Sequence, residues 1–236
     1  MASQVRISRL DEIEIARASF LSPDEKKRSL RGAKRGSPPY HLNAVRSHFL
    51  DLLGVTPNPL FTFTRLEWKK LRASIRQACR HSKKERIANV QLGKGLFLYA
   101  EARAITGVAT EFHSLSLGIT DETLRYWCNA ILYIDEIPYV VFIDARSTRG
   151  ITRRCFPYVF SMMHAAIREG RDDRAAVRFA IVKFGPVKNG ARTVRFFAEP
   201  DGFKPIPYEA MKTDARDTYK VWGEVIQERV AEKRAA

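Results

Sequence analysis

An α/β protein with a mixed central sheet flanked by helices is what this sequence predicts, on three observations. Apolar, β-branched and aromatic runs between Glu111 and Phe197 read as strands. A single apolar helix interrupts them between Phe156 and Ile167, and helical periodicity dominates both ends of the chain. Of 236 residues 45% are apolar, with 14 Phe, 8 Tyr and 3 Trp to place, which excludes disorder throughout and allows one good-sized core.

The elements divide the chain into a basic, mostly helical region (1–84), an α/β core (85–200) and a C-terminal helical segment (201–236). Ser22-Pro23-Asp24-Glu25 reads as a helix start, and the basic run from Lys26 to Gly36 follows until Ser37-Pro38-Pro39 breaks it. That run suits either a phosphate-contacting arm or a solvated loop. Leu42, Val45, Phe49, Leu52 and Leu53 fall at helical spacing and stop at Gly54. Glu67 to Cys79 is a second amphipathic helix, and Ile87 to Ala104 a third, more apolar one despite Gly93 and Gly95. Glu111 to Leu117 alternates at period two, Leu124 to Ile134 is β-rich, and Asp135-Glu136-Ile137-Pro138 makes a tight connection into Tyr139–Ile143. That uninterrupted apolar run predicts a strand buried on both faces. Val177–Phe184 and Thr193–Phe197 are joined across Asn189-Gly190, a turn pair, and Asp214 to Arg234 carries a narrow apolar helical stripe.

Charge narrows the partner class. The 41 Lys and Arg against 26 Asp and Glu leave a formal +15, a potential that recruits polyanions, nucleic acid foremost. The densest cluster is Lys69, Lys70, Arg72, Arg76, Arg80, Lys83 and Lys84, a candidate DNA-contacting surface whose plainer alternative is a solvated helix face. Arg149, Arg153 and Arg154 form a second candidate phosphate site among the hydroxyls of Ser147, Thr148 and Thr152, before a helix start. No run approaches 18 apolar residues and the first residues hold no apolar signal core, so a soluble cytoplasmic protein without membrane contact is expected. Cys79, Cys128 and Cys155 are spaced for neither a disulfide framework nor a zinc site, and reduced thiols are expected. Gly93-Lys94-Gly95 lacks the spacing of a phosphate-binding loop, and His164 on its apolar helix reads as a core or boundary histidine.

The order helix, three strands, helix, two strands from residue 87 to 198, with the stretch Cys128-Asn129 to Asp144-Ala145-Arg146, resembles the restriction-endonuclease-like core of the PD-(D/E)XK superfamily. The run through Arg125-Tyr126-Trp127-Cys128-Asn129 looks most like transposon-encoded TnsA-type endonucleases and related phage and plasmid nucleases. The resemblance implies two carboxylates on neighbouring strands converging on one Mg²⁺, which would acidify a water beside a lysine. Asp144 fits the second acid; Asn129 stands at the first and Arg146 at the lysine. By the resemblance, Asp144 would be a metal ligand, Asn129 a weak ligand or relic, Arg146 a phosphate clamp, and Glu85 (or Glu101) a helix-borne ligand. The alternative is a generic α/β domain in which Asp144 caps or pairs and Arg146 is its partner.

Two functions of different class therefore stand as expectations. One is a metal-dependent DNA endonuclease or its degenerate descendant. The other is a non-enzymatic DNA-binding or assembly protein of a mobile element, plasmid or phage, in which a protein partner would complete the assembly. An RNA-binding role fits the charge but finds no aromatic-rich RNA-binding segment.

Overall fold

The computed structural model describes residues 9–33, 42–56, 65–116, 123–146 and 148–235. In chain order these form α1 (Glu12–Ala18), α2 (Pro23–Arg31), α3 (Asn43–Arg46), α4 (Phe49–Leu53), β1 (Val55–Thr56), α5 (Trp68–Ala78), α6 (Lys83–Ala102) and β2 (Thr106–Ala109). There follow β3 (Leu115–Ser116), β4 (Thr123–Leu124), β5 (Ala130–Ile134), β6 (Ile137–Asp144), α7 (Phe156–Met163), β7 (Arg178–Lys188), β8 (Ala191–Ala198) and α8 (Tyr208–Ala235). The main sheet runs β1-β2-β5-β6-β7-β8, and β3 and β4 pair separately. β1 is parallel to β2 and β6 to β7, while β2/β5, β5/β6 and β7/β8 are antiparallel, so the sheet is mixed.

Alternation along β6 explains the layers. Val140 and Phe142 enter one apolar cluster with α1, α2, α7 and α8 residues, whereas Val141 and Ile143 enter the other, built by α3 to α6. Helices thus cover both faces of the sheet, as the uninterrupted apolar run of β6 requires. The turn into β6 uses Asp135 and Glu136, both at positive φ (51° and 66°), the conformation of a tight two-residue hairpin. Asn189 (φ 50°) and Gly190 (φ 73°) do the same between β7 and β8.

Several boundaries differ from those read in the sequence. α6 starts four residues before Ile87, because the Ser82 hydroxyl accepts from Glu85 N (3.0 Å) and the Glu85 carboxylate accepts from Ser82 N in a reciprocal cap. The expected helix over Leu42–Leu53 is two short ones, broken at Ser47 and His48, where the Ser47 hydroxyl donates to the Ala44 carbonyl. After α6 the first strand is β2 at Thr106–Ala109, ahead of the alternating stretch Glu111–Leu117, of whose described residues only Leu115–Ser116 are strand. Gly107 masks β2 in the sequence, yet a Cβ there would lie 2.8 Å from the Ile131 carbonyl oxygen of the neighbouring strand. The part of the basic run from Lys34 to Gly36 lies outside the described residues.

Gly95 has the same kind of reason. α6 lies so near β8 that a Cβ at 95 would sit 2.1 Å from the Arg192 carbonyl oxygen. Gly95→Ala gains about 1 kcal/mol of helix propensity but forces helix and strand apart. We expect a net destabilisation of ~1–3 kcal/mol, read from the urea unfolding midpoint.

Candidate functional site: an acid–arginine cluster at the end of β6

β6 ends at Asp144, fully buried, and the chain then loops back over it. A buried carboxylate must find donors, and here they are backbone groups: Arg146 N at 3.2 Å and Ile151 N at 2.8 Å. The loop presses so close that a Cβ at Gly150 would lie 2.4 Å from Asp144 Oδ2. Burial raises the Asp144 carboxyl above its ordinary value, and the two backbone N–H groups, Lys183 and Arg146 offset only part of that. Lys183, opposite Asp144 on β7, donates to the Ile151 carbonyl and closes the loop from the other side.

The arginines of this loop are equally committed. The Arg146 guanidinium donates to Glu14 Oε1 (3.1 Å) and to Asp11, both on or capping α1. Arg149 forks onto both oxygens of Glu14 (3.1 and 2.7 Å) and reaches the Ser29 carbonyl (2.9 Å) on α2. It does so from a left-handed backbone (φ 54°), strained for a non-glycine residue and held by this pairing. Arg154 donates to the Ser19 and Arg17 carbonyls, and Arg17 to the Gly150 carbonyl (2.8 Å). Glu14 is therefore the hub: its side chain is 8% exposed and is shared by two arginines.

The remaining candidates lie elsewhere or do other work. Glu85 Oε2 accepts from His81 N (2.7 Å) and Ser82 N, so that oxygen is occupied by the start of α6. The Asn129 side-chain oxygen is buried without a hydrogen-bond partner, as is Trp127 Nε1. Cys128 is pushed up to about 12 by burial and stays a thiol. Lys69, Lys70, Arg72, Arg76, Arg80, Lys83 and Lys84 are all exposed on α5, the turn after it and the start of α6. Arg153 is exposed with its guanidinium 5.7 Å from the Phe197 ring centre. His164 stands in a π-helical turn after α7 with Nδ1 buried and unpartnered, and burial lowers its pKa. Sequence reading missed Glu14 and Asp11; the only local signal was the acidic helix start Asp11-Glu12-Ile13-Glu14, whose partners lie 132 to 135 residues further along.

These side chains do not fit the metal that the nuclease resemblance implies. Both Asp144 oxygens accept backbone donors, and among the described residues no group of three or more His, Cys, Asp and Glu could hold an ion. The conspicuous charges at the end of β6 join the protein's own elements to one another. A family described as the sliding clamp-binding bacterial toxin SocB matches residues 13–232, and the chain belongs to that family. It is also similar to the DNA replication inhibitor toxin SocB of Caulobacter vibrioides (strain NA1000 / CB15N), at 30% identity over 227 residues, 96% of this chain and 93% of that protein. No solved structure matches it.

Membership in this family corrects three expectations. The resemblance to PD-(D/E)XK nucleases, TnsA-type enzymes included, is overturned: the motif was Asp144 alone, and Asp144 serves the loop. Endonuclease, hydrolase and metal-binding roles fall with it, as does the mobile-element DNA-binding alternative. DNA as the expected partner is overturned as well, since the family is described as binding a sliding clamp, a protein. The physical source of that error is the +15 charge, which names no partner class by itself, while several of the arginines singled out are tied to the protein's own acids.

Two outcomes follow from the cluster. Glu14→Ala leaves Arg149 without a carboxylate and Arg146 with Asp11 alone, and should cost ~2–4 kcal/mol, toward the lower end because both arginines are partly solvated; denaturant unfolding reads it. For Asp144 the folded value lies above the unfolded one, so its protonated form favours the fold. Its contribution is fully present in acid, below the unfolded value, and is lost as pH rises through the raised folded value. The stability of wild type relative to Asp144→Asn should therefore fall as pH rises from the ordinary aspartate range through the raised folded value and then level off, measured as paired urea midpoints.

Proposed function

We propose that this chain binds a bacterial sliding clamp in the cytoplasm and thereby inhibits DNA replication. The observation that carries the proposal is the family match over residues 13–232, together with a relative named as a replication inhibitor that pairs with 96% of the chain. Among the described residues no helix is long and apolar enough to cross a membrane, in keeping with a target in the replication machinery.

A protein partner needs apolar anchors ringed by polar residues. Leu66 (40% exposed) and Leu98 (45%) offer them, flanking the contact of Trp68 with Phe97, whose ring centres are 5.7 Å apart. Arg65 fixes this place by donating to the Leu52 (2.7 Å) and Phe97 (3.3 Å) carbonyls. The same apolar run continues backward in sequence through Phe63, Phe61 and Leu60, which lie outside the described residues. The exposed cations of α5 share a layer with the anchors and would suit an acidic face on the partner. For the fold, the succession of α6, the main-sheet strands β2, β5 and β6, then α7 and β7 supports a restriction-endonuclease-like arrangement serving as a scaffold.

Calorimetric titration of the chain with a purified bacterial sliding clamp, without DNA, tests the proposal. Saturable binding is expected, weakened at least about tenfold when Leu66 and Leu98 both become Asp. Clamp-dependent primer extension should slow in the presence of wild type and recover with the double variant. Absence of clamp binding would overturn the reading.

A further inference from the structure

We infer that a groove between α7 and β8 is a second protein-docking surface, taking a short segment in which an aromatic side chain is flanked by carboxylates. The groove encloses about 470 Å³ and is lined by Arg153, Phe156, Phe160, Phe197, Pro200 and Phe203 among others. Its floor is a continuous row of rings. Phe197 meets Phe156 at 5.2 Å, Phe156 meets Phe160 at 6.1 Å, and Phe160 meets Phe203 at 5.8 Å, at angles of 56° to 74°. Such edge-on and tilted contacts leave ring edges and faces for one further aromatic guest.

Charge selects the guest. Arg153 rests over Phe197 and has no carboxylate partner among the described residues, while the nearby acids are already taken: Glu199 by Arg168 (2.6 Å) and Asp201 by Arg178 (2.7 Å). Arg195 is exposed and shares the Phe197 face of β8 by strand alternation. An aromatic residue with acidic neighbours would fill the groove and neutralise these cations by charge-assisted hydrogen bonds. A second copy of this chain is disfavoured as occupant because it would bring Arg153 and Arg195 against their own counterparts. β8 is the last strand of its sheet, so an extended segment also finds a strand edge beside the groove. The groove belongs to the α7 face of the sheet, whereas Leu98 and Trp68 belong to the α5 and α6 layer on the other, so both partners could be held together.

The test is fluorescence anisotropy with a fluorescein-labelled peptide Ser-Asp-Glu-Phe-Asp-Asp-Ser. Wild type should bind it, and replacing its Phe by Ala or its acids by Lys should weaken binding at least about tenfold. Arg153→Glu should lose the acidic peptide and gain the lysine one, with its melting temperature and clamp affinity unchanged, which separates this proposal from the preceding one. Phe203→Ala should weaken the acidic peptide without changing charge preference. No binding by wild type, equal binding of the Phe and Ala peptides, or equal binding by wild type and Arg153→Glu would each overturn the inference. Self-association by light scattering that Arg153→Glu abolishes, without peptide binding, would overturn it by making a second copy the occupant.

Discussion

The pairing of Glu14 with Arg146 and Arg149 is the constraint on which the rest of the structure depends. A carboxylate this deeply buried is tolerated only when its charge is met, and both partners come from the loop that follows β6. That single requirement draws α1 onto the end of the sheet. Arg149 extends the tie to α2 through Ser29, and Lys26 of α2 carries it to α8 through Asp214 (2.6 Å) and Thr218 (2.9 Å). Asp144 holds the same loop from beneath. The helices before residue 32 are thereby joined to the sheet and to the C-terminal helix by charge as well as by apolar packing.

The net +15 is the same whether or not pairs form inside the chain, but the pairing decides which cations face a partner. Arg17, Lys26, Arg146, Arg149, Arg154, Arg168 and Arg178 all bond to carboxylates or carbonyls of the chain itself. Among the cations left facing solvent, one group lies on α5 with the start of α6, and Arg153 and Arg195 lie by β8. Both places pair cations with exposed or accessible apolar groups, the composition of protein-binding surfaces more than of a phosphate track.

How much of this was legible in the sequence depends on how local each signal is. The β6 strand, the Asp135-Glu136 and Asn189-Gly190 turns, and the helix beginning at Phe156 are local, and each lies where its pattern placed it. α1 was hidden because its buried face carries Glu14, which breaks the apolar period, and β2 because Gly107 and Ala109 carry little β signal. The Asp144-x-Arg146 spacing was visible but chemically ambiguous, since a carboxylate at a strand end can hold a cation or a backbone turn with the same sequence. What decides between them is Gly150 folding back onto it, a contact no spacing rule encodes. The proposed docking surface was illegible for a related reason: the exposed Leu66 and Leu98 lie far apart in the sequence and form no contiguous motif.

Hydrogen–deuterium exchange of the chain with and without saturating purified sliding clamp tests the central claim most directly. If the clamp docks on the α5 and α6 layer and the acid–arginine cluster is structural, exchange should slow around Leu66–Leu71 and Leu96–Ala100 and stay unchanged from Asp144 to Cys155. Protection confined to Asp144–Cys155, or none at all, would contradict it.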